Sequence, residues 1–187
     1  MTSKHLILGG ARSGKSSFAE KTLIELAKQT KAALVYVATA EPGDDEMTHR
    51  IAQHQSARNT NWRLIEEPLD LAHILNNANA GDCILIDCLT LWLSNCLHCE
   101  IETTEGSKTQ STTNIKSWTQ RKDEFISALL NCPATVFLVS NEVGQGIVPM
   151  GALSRRFVDE SGWLHQELAE HCDKVSFIIA GLETKLK

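Results

Sequence analysis

An α/β domain with a mainly parallel sheet flanked by helices is expected from three observations. Apolar, β-rich runs recur at His5–Leu8, Ala33–Ala38, Cys83–Asp87, Thr135–Ser140 and Val175–Ala180. Helix-length amphipathic segments separate most of them, the alternation that sets strands parallel and lays helices over the sheet. The first run also leads straight into Gly9-Gly10-Ala11-Arg12-Ser13-Gly14-Lys15-Ser16, which has the form G-x-x-x-x-G-K-[ST] of a phosphate-binding loop, or P-loop.

Taken along the chain, the apolar run Leu6-Ile7-Leu8 is the strand such a loop requires, and a helix over 15–28 follows, with Phe18, Leu23, Ile24 and Leu26 as its apolar side. The glycines let successive amides point at phosphate oxygens, Lys15 reaches the β- and γ-phosphates, and Ser16 can ligate magnesium. The start of the helix adds its positive dipole end. Further helices are expected over 44–57, 69–78, 89–99, 117–130 and 152–171, and the short Trp62–Ile65 piece could add an extra strand. Residues 101–116 are polar, rich in Ser and Thr and poor in core-forming side chains, so a mobile surface excursion is expected there, either a tolerated loop or a lid.

With 187 residues and 42% hydrophobic content, the chain can bury one sizeable core, and we read 1–187 as a single domain. A formal charge of −5 argues against the broad basic surface that binds nucleic-acid backbone. No apolar stretch reaches the roughly 18 to 20 residues of a membrane helix, and Met1–His5 leads at once into a strand and loop, so a cytoplasmic enzyme without a membrane span is expected. The six cysteines read as reduced thiols in a chain that carries a nucleotide site. Cys96-Leu97-His98-Cys99 has a spacing that metal sites use, but it also continues the helical apolar pattern of Leu91, Trp92, Leu93 and Leu97, which favours structural cysteines.

In an open sheet of this kind ligands collect beyond the carboxyl ends of the strands. The residues there are the P-loop, Ala38-Thr39-Ala40, Asp87 with Cys88-Leu89-Thr90, and Asn141-Glu142-Val143-Gly144-Gln145-Gly146. Asp87 closes an apolar strand, as the magnesium-associated acid of a P-loop site does, although an aspartate there can also cap the next helix. Arg50 and His54 lie one helical turn apart. An imidazole beside a triphosphate can be a general base, can attack phosphorus itself, or can be a structural residue packed near Met47. The 141–149 segment reads as a substrate loop or as a tight connection. Arg155, Arg156 and Asp159 read equally as phosphate contacts or as surface ion pairs, and the four tryptophans as packing residues.

Four blocks in order, Gly9–Ser16, the Asp44-Asp45-Glu46-Met47 to Trp62 series through Arg50-Ile51-Ala52-Gln53-His54, Asn141–Pro149, and the Arg155, Phe157, Asp159, Gly162, Gln166 series, span nearly the whole chain. They resemble the bifunctional adenosylcobinamide kinase / adenosylcobinamide-phosphate guanylyltransferase family. The resemblance implies a RecA-like P-loop NTPase fold and two steps of cobalamin nucleotide-loop assembly. A nucleoside triphosphate, ATP or GTP, phosphorylates the aminopropanol hydroxyl of adenosylcobinamide; GTP then donates GMP to that phosphate by way of a guanylylated histidine, which aligns with His54. It also implies nucleotide contacts at Gly9, Gly10, Ala11, Arg12, Ser13, Gly14, Lys15 and Ser16, at Ala38, Thr39 and Ala40, at Gln55, Ser56, Ala57 and Arg58, and at Glu66 and Asp87. Mg2+ is expected on Ser16 and Asp87. A homo-oligomer is implied as well, a trimer being one form it could take. Two positions depart from the family pattern: Arg58 is followed by Asn59 where the family carries Arg-Pro, and position 87 is Asp where relatives can carry Glu. The readings that compete are a P-loop kinase of another small molecule with no covalent histidine, and a GTP-binding regulatory module; against the latter, the chain lacks an Asn-Lys-x-Asp element.

Overall fold

Strand β1 (Lys4–Gly9) is buried from His5 onward, and helix α1 (Lys15–Thr30) follows the phosphate loop. After β2 (Ala33–Ala38) come β3 (Trp62–Glu66), the short α2 (Leu71–Asn76), β4 (Asp82–Asp87) and α3 (Leu89–Glu105). The chain continues through α4 (Trp118–Asn131), β5 (Thr135–Asn141), α5 (Ala152–His171), β6 (Lys174–Ile179) and β7 (Leu182–Lys185). This is a computed structural model, and it describes residues 2–40, 62–105 and 116–187. The expected helix over 44–57 lies outside the described residues.

The strands form one seven-stranded sheet in the order β3-β2-β4-β5-β1-β6-β7. Every pairing is parallel except β6 with β7. The central strands read as unbroken apolar runs because both faces are covered. Leu6 and Leu8 of β1, Val35 and Val37 of β2, and Ile84 and Ile86 of β4 face the larger core, which holds Trp92, Trp118, Phe125 and Leu164. The alternate residues Ile7, Tyr36 and Leu85 face a second core with Ala19 and Leu23 of α1. The two-residue period of a strand therefore divides one apolar string between two layers.

Trp62–Glu66 is the extra strand that the sequence allowed, paired in parallel with β2. Three elements differ from the sequence expectation. The helix expected over 69–78 is shorter, because Glu67 Oε1 accepts the amides of Leu69 and Asp70, and the Asp70 side chain then caps α2 by accepting the His73 amide. The helix expected over 89–99 continues to Glu105, so the first residues of the polar 101–116 stretch are helical rather than an excursion; residues 106–115 lie outside the described residues. The last strand, β7, was not expected, being an exposed edge reached through a turn at Ala180 (φ 52°) and Gly181 (φ 79°).

Trp92 and Trp118 pack edge to face at 5.0 Å in the core, as expected of packing residues, whereas Trp163 on α5 is exposed. All six cysteines are free thiols, and Cys96 sits within the larger core. Among the described residues no helix is long and apolar enough to cross a membrane.

Candidate functional site

Strand register gathers the expected residues along one edge of the sheet. Ala38 lies opposite both Glu66 and Asp87, Asp87 lies opposite Val139, and Gly9 lies between Asn141 and Ile178. The carboxyl ends of β3, β2, β4, β5 and β1 thus present Glu66, Ala38, Asp87, Asn141 and Gly9 in a row. Glu66, on the outermost of these strands, is exposed.

The phosphate loop has the backbone its sequence demands. Arg12 (φ 56°) and Gly14 (φ 94°) are left-handed, Gly14 is the N-cap of α1 without a side-chain cap, and the Ser13 amide donates to Gly10 O at 3.3 Å. A Cβ on Gly9 would lie 2.6 Å from both Ile178 O and Ser13 Oγ. The turn between β6 and β7 braces the loop from its far side, the Gly181 amide donating to Ser13 O at 2.8 Å. Lys15 is buried and donates to Gly10 O at 3.2 Å. The Ser13 hydroxyl is buried with no hydrogen-bond partner, and the space a Gly10 Cβ would occupy is open. An orphaned donor in the loop, at a capless helix start, fits a group rich in acceptor oxygens, as a phosphate is.

Across the edge, Asp87 Oδ2 accepts the Tyr36 hydroxyl at 2.8 Å, which orients the carboxylate. Thr39 is fully buried, and its hydroxyl is committed to the backbone of Cys88: it donates to Cys88 O at 2.7 Å and accepts the Cys88 amide at 2.9 Å. Asn95 of α3 donates to Thr39 O at 2.8 Å. Thr39 therefore fastens the end of β4 beside Asp87, and its hydroxyl is turned inward. Burial foremost, and next Asp87, pushes the Cys88 thiol up, with the Thr90 hydrogen bond opposing. The oxygen chemistry of Asp87 and Ser16 suits a hard divalent cation such as Mg2+.

At the end of β5, Asn141 donates to Thr90 Oγ1 at 2.8 Å, and the Glu142 amide donates to Gly9 O at 3.0 Å. Glu142 Oε1 accepts the Gly144 amide at 2.7 Å, and Oε2 stands 3.8 Å from His165 Nδ1. His165 is buried on α5, with Nε2 2.7 Å from the Ser140 hydroxyl; burial lowers its pKa, and Glu142 opposes the shift. Arg155 donates to Pro149 O and Met150 O, and Arg156 pairs with Glu100 at 2.6 Å, so both arginines serve contacts within the fold.

Residues 9–16, Ala38–Ala40 and Asp87 thus come together, with Glu66 at the outer end of the row. His54, Gln55, Ser56, Ala57 and Arg58, and the neighbouring Arg50, lie outside the described residues. Reading the sequence alone missed Tyr36, His165 and Gly181. Tyr36 carried a signal, as the polar-tipped residue in an otherwise apolar strand; the other two are recruited from distant segments.

A sequence-family model described as cobinamide kinase / cobinamide phosphate guanyltransferase matches residues 5–186. The chain is 49% identical over 189 residues to the bifunctional adenosylcobalamin biosynthesis protein CobP of Pseudomonas aeruginosa, covering 98% of this chain and 97% of that one. It is 37% identical to the bifunctional adenosylcobalamin biosynthesis protein CobU of Salmonella typhimurium, covering 97% and 98%. Among solved structures, the flagellar accessory protein FlaH of Methanocaldococcus jannaschii superposes with a TM-score of 0.51 at 13% identity, over 99% of this chain and 78% of that one, a likeness of fold.

Proposed function

Because this chain belongs to the cobinamide kinase / cobinamide phosphate guanyltransferase family, we propose that the edge carrying Gly9–Ser16 and Asp87 hosts both reactions of a bifunctional enzyme of adenosylcobalamin biosynthesis. The observation that carries this reading is the phosphate loop itself: a buried Lys15, an orphaned Ser13 hydroxyl and a capless helix start, four strands from Glu66 and two from Asp87 in one row.

In the kinase step the loop amides and Lys15 hold the triphosphate and stabilise charge on the γ-phosphoryl oxygens while the aminopropanol hydroxyl of adenosylcobinamide attacks. Ser16 and Asp87 would hold Mg2+, which when bound neutralises charge on the β- and γ-oxygens. ATP or GTP can serve in that step. In the second step His54 attacks the α-phosphorus of GTP, pyrophosphate leaves, and the phosphate made in the first step takes GMP from the histidine. Arg58 or Arg50 is placed in sequence to neutralise charge during that transfer. Ala38, Ala40 and Glu66, with Gln55–Ala57, complete the nucleotide contacts, and Thr39 supports them from beneath through Cys88. We further propose a cytoplasmic homo-oligomer that binds no nucleic acid; light scattering that finds a fully active monomer overturns the oligomer.

The deciding experiment gives the protein magnesium and GTP labelled at the α-phosphate. Acid-labile, base-stable label should remain on the chain and disappear in His54→Ala, while transfer of the γ-phosphate persists. Absence of label in the unmutated protein, with γ-transfer intact, leaves a kinase and makes His54 structural.

A further inference from the structure

We infer that Glu142 accepts the proton of the substrate hydroxyl in the kinase step, held for that task by the 142–144 turn. The inference rests on the assignment of kinase chemistry to the phosphate loop.

The argument begins with strand order. β5 runs between β4, which ends in Asp87, and β1, which ends in the loop. A γ-phosphoryl group that met both Lys15 and a cation held by Asp87 would lie near the end of β5. The residue that follows that strand is Glu142, whose amide is bonded to Gly9 O at 3.0 Å. Its carboxylate is not a loose surface acid. Oε1 accepts the Gly144 amide at 2.7 Å, and a Cβ on Gly144 would come within 3.0 Å of that oxygen, so the turn wraps the carboxylate closely. On the other side Oε2 faces His165 Nδ1 at 3.8 Å. His165 is itself fixed by the fully buried Ser140 hydroxyl at 2.7 Å.

The other carboxylates of this edge are less suited. Asp87 is the carboxylate proposed to hold Mg2+, and its Oδ2 accepts the Tyr36 hydroxyl. Glu66 ends β3, three strand spacings from β5, or about 14 Å. Glu142 keeps 22% of its side chain exposed, enough for a substrate hydroxyl to reach it.

The step balances as follows. The hydroxyl oxygen forms a bond to the γ-phosphorus, and the bond from that phosphorus to the β,γ-bridging oxygen breaks. Its electron pair leaves with the nucleoside diphosphate. The hydroxyl proton passes to the Glu142 carboxylate and from there to solvent. Guanylyl transfer has an already ionised phosphate as its nucleophile and requires no such base, so the two steps should separate.

The test uses the full-length protein and two acceptors, adenosylcobinamide and its ready-made phosphate. Glu142→Gln should lower the kinase kcat by roughly 10²- to 10⁴-fold, while GTP binding and GMP transfer to the phosphorylated acceptor stay within about threefold. Kinase activity that survives Glu142→Gln overturns the inference, as does equal loss of both steps. Should the Gln variant not fold, Glu142→Asp decides: a kinase at least tenfold slower with intact GMP transfer supports the role, and an unchanged kinase removes it. An unmutated protein inactive on both acceptors would instead overturn the reading of the site.

Discussion

Gly9 and Gly10 are adjacent, and the structure gives them opposite tolerances. A side chain at position 9 would meet a backbone carbonyl and a hydroxyl at 2.6 Å, and the carbonyl belongs to a central strand that cannot retreat. At position 10 the space is open and φ is not left-handed. Gly9→Ala should therefore cost about 1–3 kcal/mol, the range for overpacked sites, and weaken nucleotide binding at least tenfold. Gly10→Ala should stay within about 0.5 kcal/mol in stability, as surface substitutions do. Thermal melts of both variants with a fluorescent nucleotide titration check this; equal behaviour of the two would refute it. The same contrast explains why the motif was legible while its support was not. The loop is local and announces itself in eight consecutive residues, whereas Gly181 braces it, and Tyr36 orients Asp87, through contacts that sequence spacing does not encode.

Helix α4 shows how far a local signal can be trusted. Ser117-Trp118-Thr119-Gln120 is a capping box, with the Ser117 side chain accepting the Gln120 amide and the Gln120 side chain accepting the Ser117 amide, and the helix starts where that pattern says. Ser117→Ala should cost about 1 kcal/mol, read as a shift in the urea midpoint, and a change below about 0.3 kcal/mol would show the cap to be redundant with the burial of Trp118. The parallel strands were equally legible, because strands covered on both faces are written as continuous apolar runs. α2 was overextended because the Glu67 and Asp70 side chains consume backbone donors just before it, and β7 was missed because an exposed edge strand needs no apolar pattern. α3 ran longer than its apolar stripe because polar residues can continue a helix that packing has already nucleated.

Two buried histidines tie the stability of the whole domain to pH. His5 bridges to Ser176 at 2.8 Å, and burial foremost, with Lys174 adding to it, lowers its pKa to about 4; that of His165 is lowered for the same leading reason. An unfolded chain takes up these protons near pH 6.5 and the folded one only at lower pH, so the stability they contribute is complete above pH 6.5 and is lost as pH falls toward 4. For His5 alone the loss at pH 5 is about 2 kcal/mol. Chemical denaturation at pH 7.5 and pH 5 should show at least that difference, reduced in His5→Gln; a flat profile would mean that these rings are protonated in the folded state.

The strand order carries a consequence for how the protein is made. β1 is synthesised first, yet its two neighbours, β5 and β6, come more than a hundred residues later, and the turn that braces the phosphate loop follows them. On the ribosome the nucleotide loop thus waits, its strand exposed along both edges, until the chain through Gly181 has emerged. Translation interrupted before β5 leaves the phosphate loop without its neighbouring strands, so nucleotide capture follows the synthesis of β5, β6 and the turn at Gly181.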